Sequence, residues 1–143
     1  MVWIASDHAG YALKKTIVAW LEKNNFDYED LGTHGEDAAD YPIYAHKVAD
    51  KVASSNTDRG ILLCSSGQGM AIAANRHKNI RAAVTWQKKV AIKSRQHNDS
   101  NVLVVPSDYV NSGRAIEIVK VWLDTKFTGE ERHARRIQQI EKP

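Results

Sequence analysis

Gly60-Ile61-Leu62-Leu63-Cys64-Ser65-Ser66-Gly67-Gln68-Gly69 passes from an unbroken apolar run straight into a turn of small residues. Five residues without a polar interruption read as a strand covered on both faces, the habit of parallel sheets. The polar, glycine-punctuated stretch after it is how such a strand hands over to a helix. Outward from here the unit recurs, and the other strand candidates are Val2 to Ser6, Asp27 to Leu31, Arg81 to Thr85 and Asn101 to Val105. Between them, Leu13, Ile17, Trp20 and Leu21 form one helical stripe, and Ala45, Val48, Ala49 and Val52 another. Gly69 to Arg76 and Lys88 to Arg95 are further helix candidates, and Ala115, Ile118, Val119 and Trp122 mark a helix after the fifth strand. Strand and helix in alternation, joined by right-handed crossovers, predict a three-layer α/β/α sandwich around a five-stranded, parallel, Rossmann-like sheet.

The 143 residues suit one domain, expected to span 1–143, and no repeat or low-complexity tract divides them. Beyond Phe127-Thr128-Gly129, the segment Glu130 to Lys142 reads as an appended helix whose apolar anchors are Ile137 and Ile140. At 100° per residue Arg132 and Arg136 fall about 40° apart on its surface. So narrow an apolar stripe is marginal alone, which predicts docking on the domain body or on a second subunit.

Composition excludes several classes. Apolar residues make up 43% and charged residues 26%, with 8 glycines and 3 prolines, so the chain is neither disordered nor fibrous. No apolar run approaches the roughly 18 residues of a membrane span, and the start shows no export signal, so no membrane association and a cytoplasmic location are expected. A net charge of +3 with interleaved signs is too weak for nucleic acid. Cys64 is the only cysteine and is expected to be a free thiol. The six histidines form no His-x-x-x-His pair and no cysteine partners them, so no metal site is expected. His34, His46 and His77 read as surface residues.

In an open parallel sheet ligands bind outside the strand carboxyl ends. Strand one ends in Ser6-Asp7-His8-Ala9-Gly10, strand three in Cys64-Ser65-Ser66-Gly67-Gln68-Gly69, and the fourth helix closes with Ser94-Arg95-Gln96-His97-Asn98-Asp99. The expectation is that the thiol, both imidazoles and the carboxylate converge on one rim. The Ser-Ser-Gly-x-Gly turn leaves several backbone N–H groups free for an anion and favours thiolate at Cys64. Half ionisation at pH 7 requires roughly 2 kcal/mol, about what a helix N-terminus supplies. The alternative is a small buried core cysteine. Neither Gly-x-Gly-x-x-Gly nor a Gly-Lys-Ser/Thr ending is present, which disfavours dinucleotides and ATP. Arg132 and Arg136 offer planar forks that suit a phosphate, unless they are a solvated basic face.

From Ile4 to about Ile140 the chain resembles ribose-5-phosphate isomerase B. The likeness rests on Asp7-His8-Ala9-Gly10 with Lys14, Gly32-Thr33, Asp40-Tyr41-Pro42, Cys64-x-Ser66-Gly67-x-Gly69, Ala73-Ala74-Asn75, Ser94-Arg95-x-His97-Asn98-Asp99-x-Asn101 and Arg132-His133-x-x-Arg136, in that order. The resemblance implies a cofactor-independent aldose–ketose isomerase of the non-oxidative pentose phosphate branch, acting through a cis-enediolate. It implies Cys64 as base, with Ser66, Asn98 and the turn Ser65, Gly67, Gln68, Gly69 and Met70 holding the oxyanion. It further implies His97 and Asp7 in ring opening, His8, Arg132 and Arg136 on the phosphate, and Tyr41 along the sugar. A homodimer or dimer of dimers with shared sites is implied too. The chain departs from the family at Ser65, usually glycine, at Asp108, often arginine, and at Met70, a glutamate in one branch. The stretch before Arg132 is one residue longer than usual. Galactose 6-phosphate or allose 6-phosphate as substrate, and a sugar-phosphate-binding module without turnover, are the alternatives.

Overall fold

The computed structural model describes residues 1–142, so Pro143 of the expected domain lies outside the described residues. Its elements are β1 (Val2–Ser6), α1 (Tyr11–Lys23), β2 (Tyr28–Asp30), α2 (Tyr41–Ala53), β3 (Arg59–Cys64), α3 (Gln68–Ala74), β4 (Ala82–Val84), α4 (Lys88–Asn98), β5 (Val102–Pro106), α5 (Ser112–Asp124) and α6 (Glu131–Glu141). All five strands are parallel in the order β2-β1-β3-β5-β4. The predicted architecture is therefore the observed one. β2 and β4, read as five residues each, pair over only three because they are the sheet edges.

The sheet is buried on both faces. On one, Ile4, Ile61, Leu63, Leu103 and Val105 meet Leu13, Ile17 and Leu21 of α1 and Ile118, Val119 and Trp122 of α5. On the other, Ala5, Leu62, Cys64, Val102 and Val104 meet Ala45, Val48, Ala49 and Val52 of α2 and Met70, Ala71 and Ala74 of α3. Alternate side chains of β3 thus serve two cores, which is why that strand carries no polar residue between Gly60 and Cys64. The chain leaves β1 toward β2 in one direction and leaves β3 toward β4 in the other. The strand order therefore reverses between β1 and β3, and the carboxyl ends of these two strands flank the crevice where open sheets bind ligands.

A buried polar network fixes α4 to α5. Trp122, fully buried, donates its indole N–H to Ser100 Oγ at 2.9 Å, and Ser100 Oγ donates to Ser94 Oγ at 2.9 Å. Arg95, 4% exposed, lies over the Trp122 ring, donates to the Ser100 carbonyl and pairs with Asp99.

Within the chain α6 docks on the end of α4, with Ile137 half-buried. Ile140 is 56% exposed, and the buried anchor is His133, which stacks on His97 with centroids 4.3 Å apart. A flat ring against a flat ring covers the area that an aliphatic stripe was expected to cover.

Trp122→Phe removes the indole donor from a buried network and leaves a gap where the larger ring system stood. It is expected to destabilise the chain by about 1 to 3 kcal/mol, read as a lower urea midpoint at unchanged slope.

Candidate functional site

Both strands at the reversal end in chemistry. After β1, Asp7 is buried, its N–H donates to the Leu63 carbonyl, and its Oδ1 accepts the Gly10 N–H at 3.0 Å. His8 is exposed and its Nδ1 accepts the Ala39 N–H at 3.2 Å. The loop before α2 is thereby drawn over the crevice, and Lys14, fully buried, braces it through Asp30 and the Thr33 carbonyl.

After β3, Gly67 adopts φ +78°, a left-handed conformation that other residues enter at a cost, and opens α3. This turns its N–H onto Cys64 Sγ at 3.2 Å. Ser66 and Gln68 share the turn, with Ser66 Oγ accepting the Gln68 N–H. A Cβ on Gly69 would collide with the Tyr41 ring, so the bare backbone there lets Tyr41 lie against the turn. The β5–α5 loop clamps the same turn, since Ser107 and Asp108 N–H donate to the carbonyls of Cys64 and Ser65. Ser65 Oγ donates to Asp108 Oδ2 at 2.6 Å, so a carboxylate stands at this rim. The two positions singled out as family departures are in direct contact.

The thiol differs from its sequence-based reading. Burial pushes Cys64 above the range of a free thiol, and the Asp7 charge adds to that push. The amides of Met70, Gly67 and Ser66 pull the other way and are outweighed. The turn does favour thiolate as expected, but a strand end buried between α2 and α3 costs the charge more than three amides return.

Asp7, His8, Tyr41 and residues 64–70 share the carboxyl rim. His97, Asn98, Arg132 and Arg136 do not, so the expected convergence of both imidazoles with the thiol and the carboxylate on one rim does not occur within a single chain. A helix that follows a parallel strand runs back antiparallel to it, so the last turn of α4 lies at the amino rim. There Arg81, at the start of β4, donates to the carbonyls of Asn98 and Asp99, and the Asn101 carbonyl, at the start of β5, accepts the Gly60 N–H. A five-residue strand at about 3.3 Å per residue puts about 16 Å between the rims.

At that second pole His97 faces His133, while Arg132 pairs with Glu130 and stays exposed. Arg136, exposed, has no ion-pair partner among the described residues. Burial holds His97 below the ordinary imidazole range, helped by His133, Lys93 and Arg132 and opposed by Glu130. Sequence reasoning passed over Arg81 and Glu141, which belong to no pattern that announces a site, and met His133 inside the Arg132-His133-x-x-Arg136 motif, with no role given to it. Among the histidines read as surface residues, His46 Nδ1 and His77 Nε2 lie 2.7 Å apart, and His77 pairs with Asp50.

The family model described as Ribose/Galactose Isomerase matches residues 2–140. The chain belongs to this family. It is 43% identical over 134 residues to ribose-5-phosphate isomerase B of Escherichia coli, covering 94% of this chain and 89% of that protein. The ribose-5-phosphate isomerase B structure from Clostridium thermocellum superposes with a TM-score of 0.95 at 43% identity, covering 99% of this chain and 95% of that one. The Mycoplasma genitalium structure, described with bound ribulose 5-phosphate, gives a TM-score of 0.94 at 41% identity, covering 99% and 93%. Membership makes the chain one of a set of isomerases, and no helix among the described residues is long and apolar enough to cross a membrane.

The balance at Cys64 sets the pH dependence of its reactivity. Alkylation by iodoacetamide is expected to rise with pH toward a midpoint above that of a free thiol. A midpoint at or below the free-thiol value would mean that the amides outweigh burial.

Proposed function

We propose that this protein interconverts ribose 5-phosphate and ribulose 5-phosphate, at a site built from the carboxyl rim of one copy and the amino rim of another. The observation that carries the reading is the Cys64 turn at the β1/β3 reversal, where Gly67 N–H meets the sulfur and Asp7 lies alongside. The bound ribulose 5-phosphate of the Mycoplasma genitalium structure supports the substrate. The two-pole distribution supports a homodimer or a dimer of dimers, because His97 and the arginines of one chain do not reach its own thiol.

Asp7 and His97 open the furanose, one taking the hydroxyl proton and the other protonating the ring oxygen. The Cys64 thiolate then takes the proton from C2, and the C2–H electrons form the C1–C2 double bond as the carbonyl electrons move onto the C1 oxygen. Ser66, Asn98 and the amides of Gly67 to Met70 hold the resulting cis-enediolate, donors fixed before charge develops. The proton on the C2 oxygen passes to the C1 oxygen, the C2–O electrons close the ketone, and the C1–C2 double-bond electrons take the proton back from Cys64 at C1. His8, Arg132 and Arg136 bind the phosphate dianion, Tyr41 lines the sugar, and no cofactor takes part. Arginines brought by a second copy also place positive charge near the crevice, which lessens the cost that burial puts on the thiolate.

The test begins with a coupled assay for ribulose 5-phosphate, with allose 6-phosphate and galactose 6-phosphate as the competing substrates. Absence of turnover on all three would leave a binding module. Cys64→Ala is expected to abolish turnover while phosphate binding persists, and retention of about a tenth of kcat would remove the thiol from the role of base. Cys64→Ala and His97→Asn are each expected to be inactive alone. Mixed by refolding together, they should recover about a quarter of the sites, since random pairing leaves one intact site in each mixed dimer. No recovery would show that the two poles do not meet.

A further inference from the structure

At the amino rim a cavity of about 400 Å³ is lined by Arg59, Asn79, Arg81, Asp99, Asn101 and Glu141, among others. Its organising group is the Arg81 guanidinium, whose side chain is 16% exposed. Nε donates to the Asn98 carbonyl at 2.9 Å, and Nη2 donates to the Asp99 carbonyl at 3.0 Å. The last carbonyls of a helix have no partner inside it, so Arg81 caps α4 at the turn that carries His97 and Asn98. The Arg81 backbone N–H donates to Asn101 Oδ1 at 2.8 Å, which ties the guanidinium to the start of β5.

The remaining face of the same guanidinium holds α6. Nη1 donates to Glu141 Oε1 at 2.7 Å, and the Asn79 N–H donates to Glu141 Oε2 at 3.1 Å. Asn79 is fixed in turn, its carbonyl accepting from Asn101 Nδ2 at 2.7 Å. Both carboxylate oxygens at the end of α6 are therefore occupied. Near its other end α6 rests on the His133–His97 stack. Arg136 lies between these two fastenings and Arg132 directly precedes the first, and both are exposed.

We propose that Arg81 and Glu141 are positioning residues, a latch that fixes the arginine face of α6 relative to His97 and Asn98. The inference rests on the reading that Arg132 and Arg136 bind the substrate phosphate. Neither latch residue touches substrate. Glu141 acts on the aim of the arginines alone, whereas Arg81 acts on both α6 and the end of α4. Their substitutions therefore leave different kinetic signatures.

Glu141→Ala is expected to raise KM for ribose 5-phosphate and Ki for inorganic phosphate together, by about threefold to fivefold, the scale of a partly buried ion pair. Its kcat should stay within about twofold of wild type, because His97 and the thiol are untouched. Glu141→Gln keeps an acceptor oxygen for one of the two donors and should recover part of the loss. Arg81→Lys keeps the charge but lacks the planar fork needed to reach all the acceptors at once, so it should raise KM and lower kcat. Backbone hydrogen exchange over residues 131–141 should quicken in Glu141→Ala. If Arg132→Ala and Arg136→Ala raise KM while Glu141→Ala and Arg81→Lys leave KM, phosphate Ki and exchange at wild-type values, the latch is overturned and the phosphate reading stands. If the two arginine variants leave KM unchanged, the phosphate reading fails, and the latch fails with it.

Discussion

Strand polarity is the constraint from which the rest of this molecule follows. When every strand points one way, every crossover helix must run back, so a residue just after a strand and one at the end of a crossover helix lie at opposite edges of the sheet. Cys64 ends β3 and His97 lies in the last turn of α4, and the length of a strand therefore stands between them. No loop adjustment within the chain removes that distance. The proposal of a site shared between two copies starts from this separation, before any feature of an interface is considered.

Within each pole the local chemistry is settled by backbone donors and acceptors more than by side chains. The thiol turn is clamped by N–H groups of the β5–α5 loop and by its own left-handed glycine. The other pole is organised by a guanidinium that satisfies helix-end carbonyls and reaches a carboxylate. Cys64 shows how finely such arrangements balance, since amides that favour its charge are outweighed by the burial that makes the turn rigid.

The sheet was legible because its signal is repeated. The Gly60-to-Cys64 run and the stripes at Leu13 to Leu21 and Ala45 to Val52 each carry several residues of evidence, and any one could be misread without changing the result. The first pole was legible too, since Asp7 and Cys64 sit directly on strand ends. The second was misplaced because the close of the fourth helix was grouped with the strand ends, although a crossover helix ends at the opposite edge of the sheet. Arg81, Glu141 and His133 were illegible for another reason. Their importance lies in contacts spanning 17 to 60 residues in the case of Arg81, and no local pattern encodes those partners. The hydropathy stripe of Ile137 and Ile140 did not point to His133, because an imidazole counts as polar in such a pattern yet packs flat when a second ring lies opposite.

The stacked imidazoles of His97 and His133 also make the hold on α6 sensitive to acid. A ring whose basicity is depressed by burial, by His133, Lys93 and Arg132, takes up a proton less readily with the helix docked than with it released. By linkage, the docked form is favoured above the ordinary imidazole range, and that preference is lost as pH falls through the depressed value. Mild acid thus works against the very surface that gathers the cationic groups, although each of those groups remains charged. A loss of function on the acidic side would then report the undocking of a helix as well as the titration of a catalytic group.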